Sequence, residues 1–332
     1  MDISDRQRRA IVRRLAAGLL SVPAMAGAAY AQTAGGPTTP IRVVVPFPPG
    51  GPVDALTRIV MPRLSELLGQ PVVIENRAGA SGTIGTAFVA KAAPDGHTLI
   101  IGTTTTMTVT PRLYRNVPYD TQKDFTPLSR MASIPSVVLV HPSIPVTTVR
   151  QLIALARARP GMLTYGSAGA GTSQHLAVEL FKFMAGVDLM HVPYKGGAQA
   201  MADLLGGHIA MTIEPVNTAL PQVRDGKLKA LAVTSPAPLP TLPGMPTVAQ
   251  DLPGYEATLW VSLLGPAGLP PQVTNLLSST LVRALQTPEV RDRMAQFGAS
   301  PIGDTPAAFA DTIRRESEVW STLIRKIGLT LD

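Results

Sequence analysis

Ile41-Arg42-Val43-Val44-Val45 runs straight into Pro46-Phe47-Pro48-Pro49-Gly50-Gly51-Pro52, and a helix-like pattern follows from Asp54. β-branched residues favour a strand, prolines end its ladder, and two glycines without Cβ let the backbone approach a ligand with its N–H groups exposed. A strand that turns into a helix in this way points amide donors and a helix dipole at one spot, which favours an anion. Phe47, Pro49, Gly50 and Gly51 are therefore candidate ligand contacts. Taken alone, such a turn is better read as a mere tight connection.

A second turn of the same kind changes that balance. Met162 to Gly166 reads as a short strand, Ser167-Ala168-Gly169-Ala170-Gly171-Thr172-Ser173-Gln174-His175 follows, and Leu176, Leu180, Phe183 and Met184 then recur at helical spacing. Two small-residue corners half a chain apart could face each other across a cleft, because open α/β sheets bind ligands beyond the carboxyl ends of their strands. Ser167 could offer a hydroxyl, and Gly169, Ala170 and Gly171 could offer backbone N–H groups. Thr172 or Ser173 also suits a helix cap. His175, Glu179 and Lys182 lie opposite the apolar stripe, so they read either as a solvated helix face or, for His175, as a side chain looking into the cleft. Asp54 reads as a first-turn residue that organises its loop rather than touching the anion directly, since a carboxylate there repels one. Asp203 could orient the loop before it, or be an ordinary exposed helical residue.

The coarse pattern alternates strands and helices. Strands are expected at 41–45, 72–75 and 98–102, with helices from about 54 to 68 and 81 to 92, an order that implies parallel pairing. Pro62 should kink or split the first helix. Val137–His141 reads as a buried run, Thr147/Thr148 cap a helix that runs through Arg159, and later strands fall at 229–234 and 259–264. Thr305-Pro306 opens the last helix, with Phe309, Ile313, Trp320 and Ile324 on one face.

The N-terminus points to export. Arg6, Arg8, Arg9, Arg13 and Arg14 precede an apolar run from Leu15 to Ala29, and Ala29-Tyr30-Ala31 makes a cleavage site. Residues 1–31 are expected to be a signal peptide and 32–40 a loose leader. Five Arg and two Asp precede Gln32, so cleavage lowers the formal charge by three, from +7 to +4. The remaining basic residues form no stripe interleaved with aromatics, which disfavours nucleic acid. No cysteine is present, which excludes disulfides and thiolate chemistry. A mature chain of about 300 residues suits two lobes, each with its own core.

Other chemistries fit poorly. A serine-hydrolase elbow needs Gly two residues before Ser167, where Tyr165 stands. Gln174 occupies the place of the third glycine of a dinucleotide fingerprint, and there is no phosphate-loop motif. One His/Glu pair at 175 and 179 is too common by chance to imply a metal. No cofactor and no metal are expected.

Taken together, the motifs resemble the Bug-type receptors of tripartite tricarboxylate transporters. The resemblance rests on Val45 to Gly51 with Asp54, Gly69 to Ala80, Pro94 to Leu99, Leu113-Tyr114 with Pro118-Tyr119-Asp120, Tyr165 to Gly169 with His175, and His191 to Gly196. It implies an α/β, two-lobed periplasmic binding protein, type II-like, each lobe a mostly parallel sheet flanked by helices. Residues 40–140 and 260–332 would form lobe 1 and 141–259 lobe 2, with crossings near 138–142 and 256–262. The loops at Phe47–Gly51 and Ser167–Thr172 would clamp a carboxylate, with Thr103 and Thr104 in a third cleft loop. Thr110, Gln199 and Gln250 depart from the residues most frequent there, which bears on what the far end of a ligand meets.

The resulting expectation is a monomeric solute receptor, not an enzyme. It would close on a small organic acid and deliver it to membrane permease subunits. The rivals are an exported hydrolase using Ser167 and His175, and an orphan receptor that signals to a sensor protein.

Overall fold

The computed structural model describes residues 39–239 and 242–330. The proposed signal peptide and most of the leader lie outside them. Among the described residues no helix is long and apolar enough to cross a membrane.

The first half of the chain runs β1 (Ile41–Val45), α1 (Pro52–Leu68), β2 (Val72–Asn76), α2 (Thr83–Ala90), β3 (Thr98–Thr103), a π-helical turn Thr105–Val109 continuing into α3 (Thr110–Leu113), β4 (Phe125–Ile134), β5 (Ser136–Val140), α4 (Val149–Ala158) and β6 (Thr164–Ser167). There follow α5 (Ser173–Ala185), β7 (Met190–Pro193), α6 (Gly197–Leu205), β8 (Met211–Pro215), α7 (Val216–Arg224), β9 (Lys229–Val233), β10 (Leu259–Pro266), α8 (Pro271–Leu285), α9 (Pro288–Gln296), β11 (Ser300–Pro301) and α10 (Pro306–Ile327). Two sheets result, in the orders β11-β4-β10-β3-β1-β2 and β7-β6-β8-β5-β9. The two-lobed α/β architecture expected from the sequence is what is observed.

Strand direction follows from how the chain enters each sheet. β1, β2 and β3 are parallel, and β10 lies antiparallel between β3 and β4. In the second sheet β6, β7 and β8 are parallel, and β5 runs against both of its neighbours. The reversed strands β5 and β10 are those that arrive from the other sheet. They start where the parallel strands end, so they must run the opposite way.

The first crossing is at Pro135, between β4 and β5, earlier than the 138–142 expected. Residues 136–140 therefore belong to the second sheet rather than to lobe 1. Ile134 ends β4 and the valine-rich β5 begins at Ser136, the two joined by one proline, which cannot donate to a ladder and so ends one pairing before the next begins. The last helix also departs from a simple division into lobes. Its Phe309 and Ile313 join a core cluster with Val44, Ile100 and Trp260 of the first sheet, whereas Trp320, Leu323 and Ile324 join the core around Val138, Tyr165 and Phe181 of the second.

Helix ends match their local signals. Thr148 accepts from Gln151 N–H and Thr305 from Ala308 N–H, each satisfying a donor that the helix leaves free. Pro62 does not split α1, which runs unbroken through it. Pro62 is on the exposed side of the helix, so water can satisfy the carbonyl its ring deprives of a partner.

Candidate functional site

At the first corner, Gly50 adopts φ 80, a left-handed conformation that suits glycine, and its N–H donates to Asp54 Oδ2 at 2.9 Å. Asp54 is buried and also accepts from Arg58 Nε at 2.8 Å and Asn76 Nδ2 at 2.9 Å. The Arg58 hydrogen bond, opposed by desolvation and aided by Gly50 and Asn76, holds its carboxyl at a pKa of about 2. Asn76 Nδ2 reaches the Phe47 carbonyl as well, at 3.1 Å. Asp54 thus spends its charge shaping the loop. Gly51, the residue before α1, has no side chain to cap the helix, so the Val53 and Asp54 N–H groups have no acceptor within it.

At the second corner Thr172 caps α5, accepting from His175 N–H at 3.4 Å and donating to the Gly169 carbonyl at 2.7 Å. Ser173 and Gln174 N–H groups remain without an intrahelical acceptor. Between the two corners is a cavity of ≈ 300 Å³. Its wall includes Phe47 and Val53 from the first corner, Thr103 at the end of β3, and Ala170, Gly171, Thr172 and Ser173 from the second. Among the described residues no Asp, Glu, Lys, Arg or His side chain contributes to that wall. Two helix N-termini from different sheets therefore meet at an uncharged pocket, the electrostatic setting for one buried anion.

Other candidate residues fall behind this wall. Pro49, Gly50 and Gly51 shape the first corner, with Pro49 and Gly50 exposed beside the cavity. Thr104 turns to the crossing, where its hydroxyl accepts from Trp260 N–H at 3.0 Å and contacts the Thr258 carbonyl at 3.3 Å. Asp203 accepts from Tyr194 O–H at 2.6 Å and anchors the loop between β7 and α6, away from the cavity.

Ser167 is fully buried, with Oγ 2.7 Å from His191 Nε2 and 3.2 Å from both the N–H and the carbonyl of Gly169. His175 does not pair with it. Its Nδ1 accepts from Gly171 N–H at 3.1 Å, and its ring stacks on His191 with centroids 4.2 Å apart. Tyr165 stacks on the same His191 at 4.8 Å. Ser167 is thus paired with His191, and the Ser167/His175 pairing that the hydrolase reading requires is not formed.

The solvated face expected for α5 is also corrected, since His175 and Glu179 are both buried. The second sheet covers one side of the helix and α10 approaches another. Glu179 accepts from Tyr165 O–H and, at 2.8 Å, from Lys182 Nζ. Burial first, and His191 second, depress the His175 pKa to about 4, so the imidazole is neutral and able to accept from Gly171.

Glu214, at the carboxyl end of β8, is buried beneath the second corner, where Gln174 and Thr212 are its hydrogen-bond partners. Gln174 also accepts from Ala168 N–H at 2.7 Å, which ties the carboxyl to the loop. Burial raises the Glu214 pKa to about 7. Between pH 4.5 and 7 the native state therefore holds a proton that the unfolded chain has lost, and stability falls as pH rises through that window. Glu214→Gln should add about 3 kcal/mol of stability at pH 8 and little at pH 4, read by urea denaturation at both pH values. Equal effects at the two pH values would mean that the carboxyl does not titrate as its burial requires.

Comparison with known proteins agrees with this layout. The family described as tripartite tricarboxylate transporter family receptor matches residues 56–329. The chain belongs to that receptor family. A protein from the tcbD-tcbE intergenic region of Pseudomonas sp. strain P51 is 41% identical over 290 residues, covering 87% of this chain and 86% of its own. Protein BugT of Bordetella pertussis is 36% identical over 297 residues, covering 89% and 91%. Among solved structures, R. palustris Rpa4515 with adipate has 38% identity and a TM-score of 0.73, covering 89% of this chain and 99% of that one. MatC from Rhodopseudomonas palustris with bound malate has 31% identity and a TM-score of 0.70, covering 87% and 99%. The Bug-type resemblance is thereby borne out, and the receptor family is one of solute binding rather than catalysis.

Ser81, Thr105, Thr110, Leu113, Tyr114 and Leu259 also line the cavity. None was singled out as a ligand contact from sequence. Thr110 carried one signal, as a departure from the residue most frequent in its motif.

Proposed function

We propose that this receptor binds a small carboxylated metabolite between its two sheets and delivers it to the permease subunits of a tripartite transporter, after export and removal of residues 1–31. The observation that carries the reading is the meeting of the α1 and α5 N-termini on one uncharged cavity. Phe47, Thr103, Ala170, Gly171 and Thr172 would contact the ligand directly, while Asp54, Ser167, His175 and Asp203 hold the loops that do. The adipate and malate bound by the two Rhodopseudomonas relatives are carboxylates of suitable size. Binding energy comes from amide donors already aimed at the site, and closure is stabilised to the extent that the acid prefers the closed form.

The test is mass spectrometry of small molecules released by denaturing the purified protein, followed by thermal shifts of the refolded apo form with a panel of organic acids. An acid at about a hundred times its Kd should stabilise the fold by about 2.7 kcal/mol, a rise of a few degrees. Recovery of a carboxylate unchanged supports the receptor. Its conversion to a product, or silence across the panel, overturns it.

A further inference from the structure

We infer that this receptor takes up a proton together with its acid, because Glu214, beneath the second corner, is a positioning residue that must be neutral for the α5 N-terminus to hold a ligand carboxylate. The inference rests on the carboxylate reading above and adds the regulation of that same site. Ser173, the first residue of α5, lines the cavity, whereas the side chain of its neighbour Gln174 bonds Glu214. The packing there is close. A Cβ at Gly197, the first residue of α6, would be 3.0 Å from Gln174 Nε2 and 3.7 Å from Glu214 Oε2. One helix end is therefore addressed by two carboxyls, the ligand's from the cavity and that of Glu214 from beneath. Its dipole amounts to about half a positive charge, enough to favour one anion and not two.

The surroundings of Glu214 favour its neutral form. Gln174 Oε1 accepts from Ala168 N–H at 2.7 Å, which leaves Nε2 to donate to the carboxyl. The Thr212 hydroxyl donates at 3.0 Å to the Gly166 carbonyl, so its contact with Glu214 Oε1, at 3.5 Å, is the weaker one. A buried carboxyl with one good donor and no cation is better off protonated. Burial raises its pKa to about 7, with no charged residue contributing. Titratable groups on the elements around it are engaged elsewhere. His175 of α5 stacks on His191 of β7, and Glu179 accepts from Lys182. Lys195, before α6, is exposed, and Asp203 on α6 accepts from Tyr194. The paired strand β5 has no charge, and α7 carries its one charge at Arg224, its last residue. Above pH 7 the free receptor thus holds a negative charge under the corner, and an incoming carboxylate must either meet it or bring a proton in. By linkage the bound acid raises the affinity of Glu214 for its proton, and the proton raises the affinity for the acid.

The probes are adipate and malate, the acids held by the two Rhodopseudomonas relatives. Each is titrated calorimetrically into the apo protein at pH 6.5, 7.5 and 8.5, where ordinary carboxylates stay ionised and His175 and His191, both held below their usual range, stay neutral. At pH 7.5 the titration is run in Hepes and again in Tris, whose different heats of ionisation report the protons taken up. Kd should rise about tenfold from pH 6.5 to 8.5, as expected for two like charges beside one helix end. About half a proton or more should enter with each acid at pH 7.5. In Glu214→Gln the Kd should change less than twofold across the range, and no proton should enter. Thermal midpoints establish that the variant is folded. If it is not, Glu316→Gln decides, since it removes the other buried carboxyl that titrates near pH 7 and should keep the whole effect. A flat wild-type profile without proton uptake, an unchanged slope in Glu214→Gln, or loss of the slope in Glu316→Gln overturns the inference and leaves the receptor reading standing. Binding of neither acid at any pH overturns both.

Discussion

Trp260→Ala is expected to lower the stability of this receptor by about 3–5 kcal/mol, the range for removing a large buried aromatic side chain. Trp260 stands near the start of β10, almost wholly buried, with its ring edge-on to Phe309 at 5.3 Å. Its indole Nε1 donates to Glu316 Oε2 at 2.8 Å. Burial already raises the Glu316 pKa to about 7, and the indole bond opposes that rise. Alanine would therefore open a cavity and strand a carboxyl together. Trp260→Phe separates the two effects, since it keeps most of the packing and loses the hydrogen bond, at a cost of about 1 kcal/mol. Urea denaturation at pH 7 measures both. A loss below 1 kcal/mol in the alanine variant would show that the neighbours collapse into the space and that the crossing does not depend on this residue.

A second large effect should be visible only as a function of pH. His175 is held near a pKa of 4 in the native state, against 6.5 for an ordinary imidazole. The unfolded chain therefore takes up a proton as pH falls through 6.5, while the native state refuses it until about 4. The stability from keeping His175 neutral is complete above 6.5 and drains away across that window, by about 2–3 kcal/mol. His175→Asn removes the titration and leaves an oxygen able to accept from Gly171. The stability difference between wild type and this variant should shrink by that amount from pH 7 to pH 4. Glu214 and Glu316 push stability the opposite way, but both proteins contain them and they cancel in the difference. Parallel pH profiles would show that His175 is protonated without resistance.

Local signals were legible in the sequence, and non-local ones were not. The first corner could be read because a β-branched run, two glycines and a helix start are contiguous, and the caps at Thr148 and Thr305 are equally local. β4 escaped notice. Its burial does not alternate cleanly, it contains Pro127, and its partner β10 lies far along the chain. Ser167 looked available because it borders a glycine-rich loop. Only the register that sets Tyr165 against His191 reveals what covers it. The cavity wall has the same character, since Ser81, Thr110 and Leu259 come from three separate segments and meet only in the folded state.

The sharing of α10 between the two cores bears on the order in which this chain can become native. The first sheet needs β10 between β3 and β4, and the second buries its apolar surface partly against Trp320, Leu323 and Ile324. A chain delivered N-terminus first can form its early corners and caps, but neither half can be finished until the last helix arrives. Contacts of such long sequence separation slow folding and prolong the time in which apolar strands are exposed. Truncation at the C-terminus should therefore injure both halves together, because the end of the chain is the clasp on each.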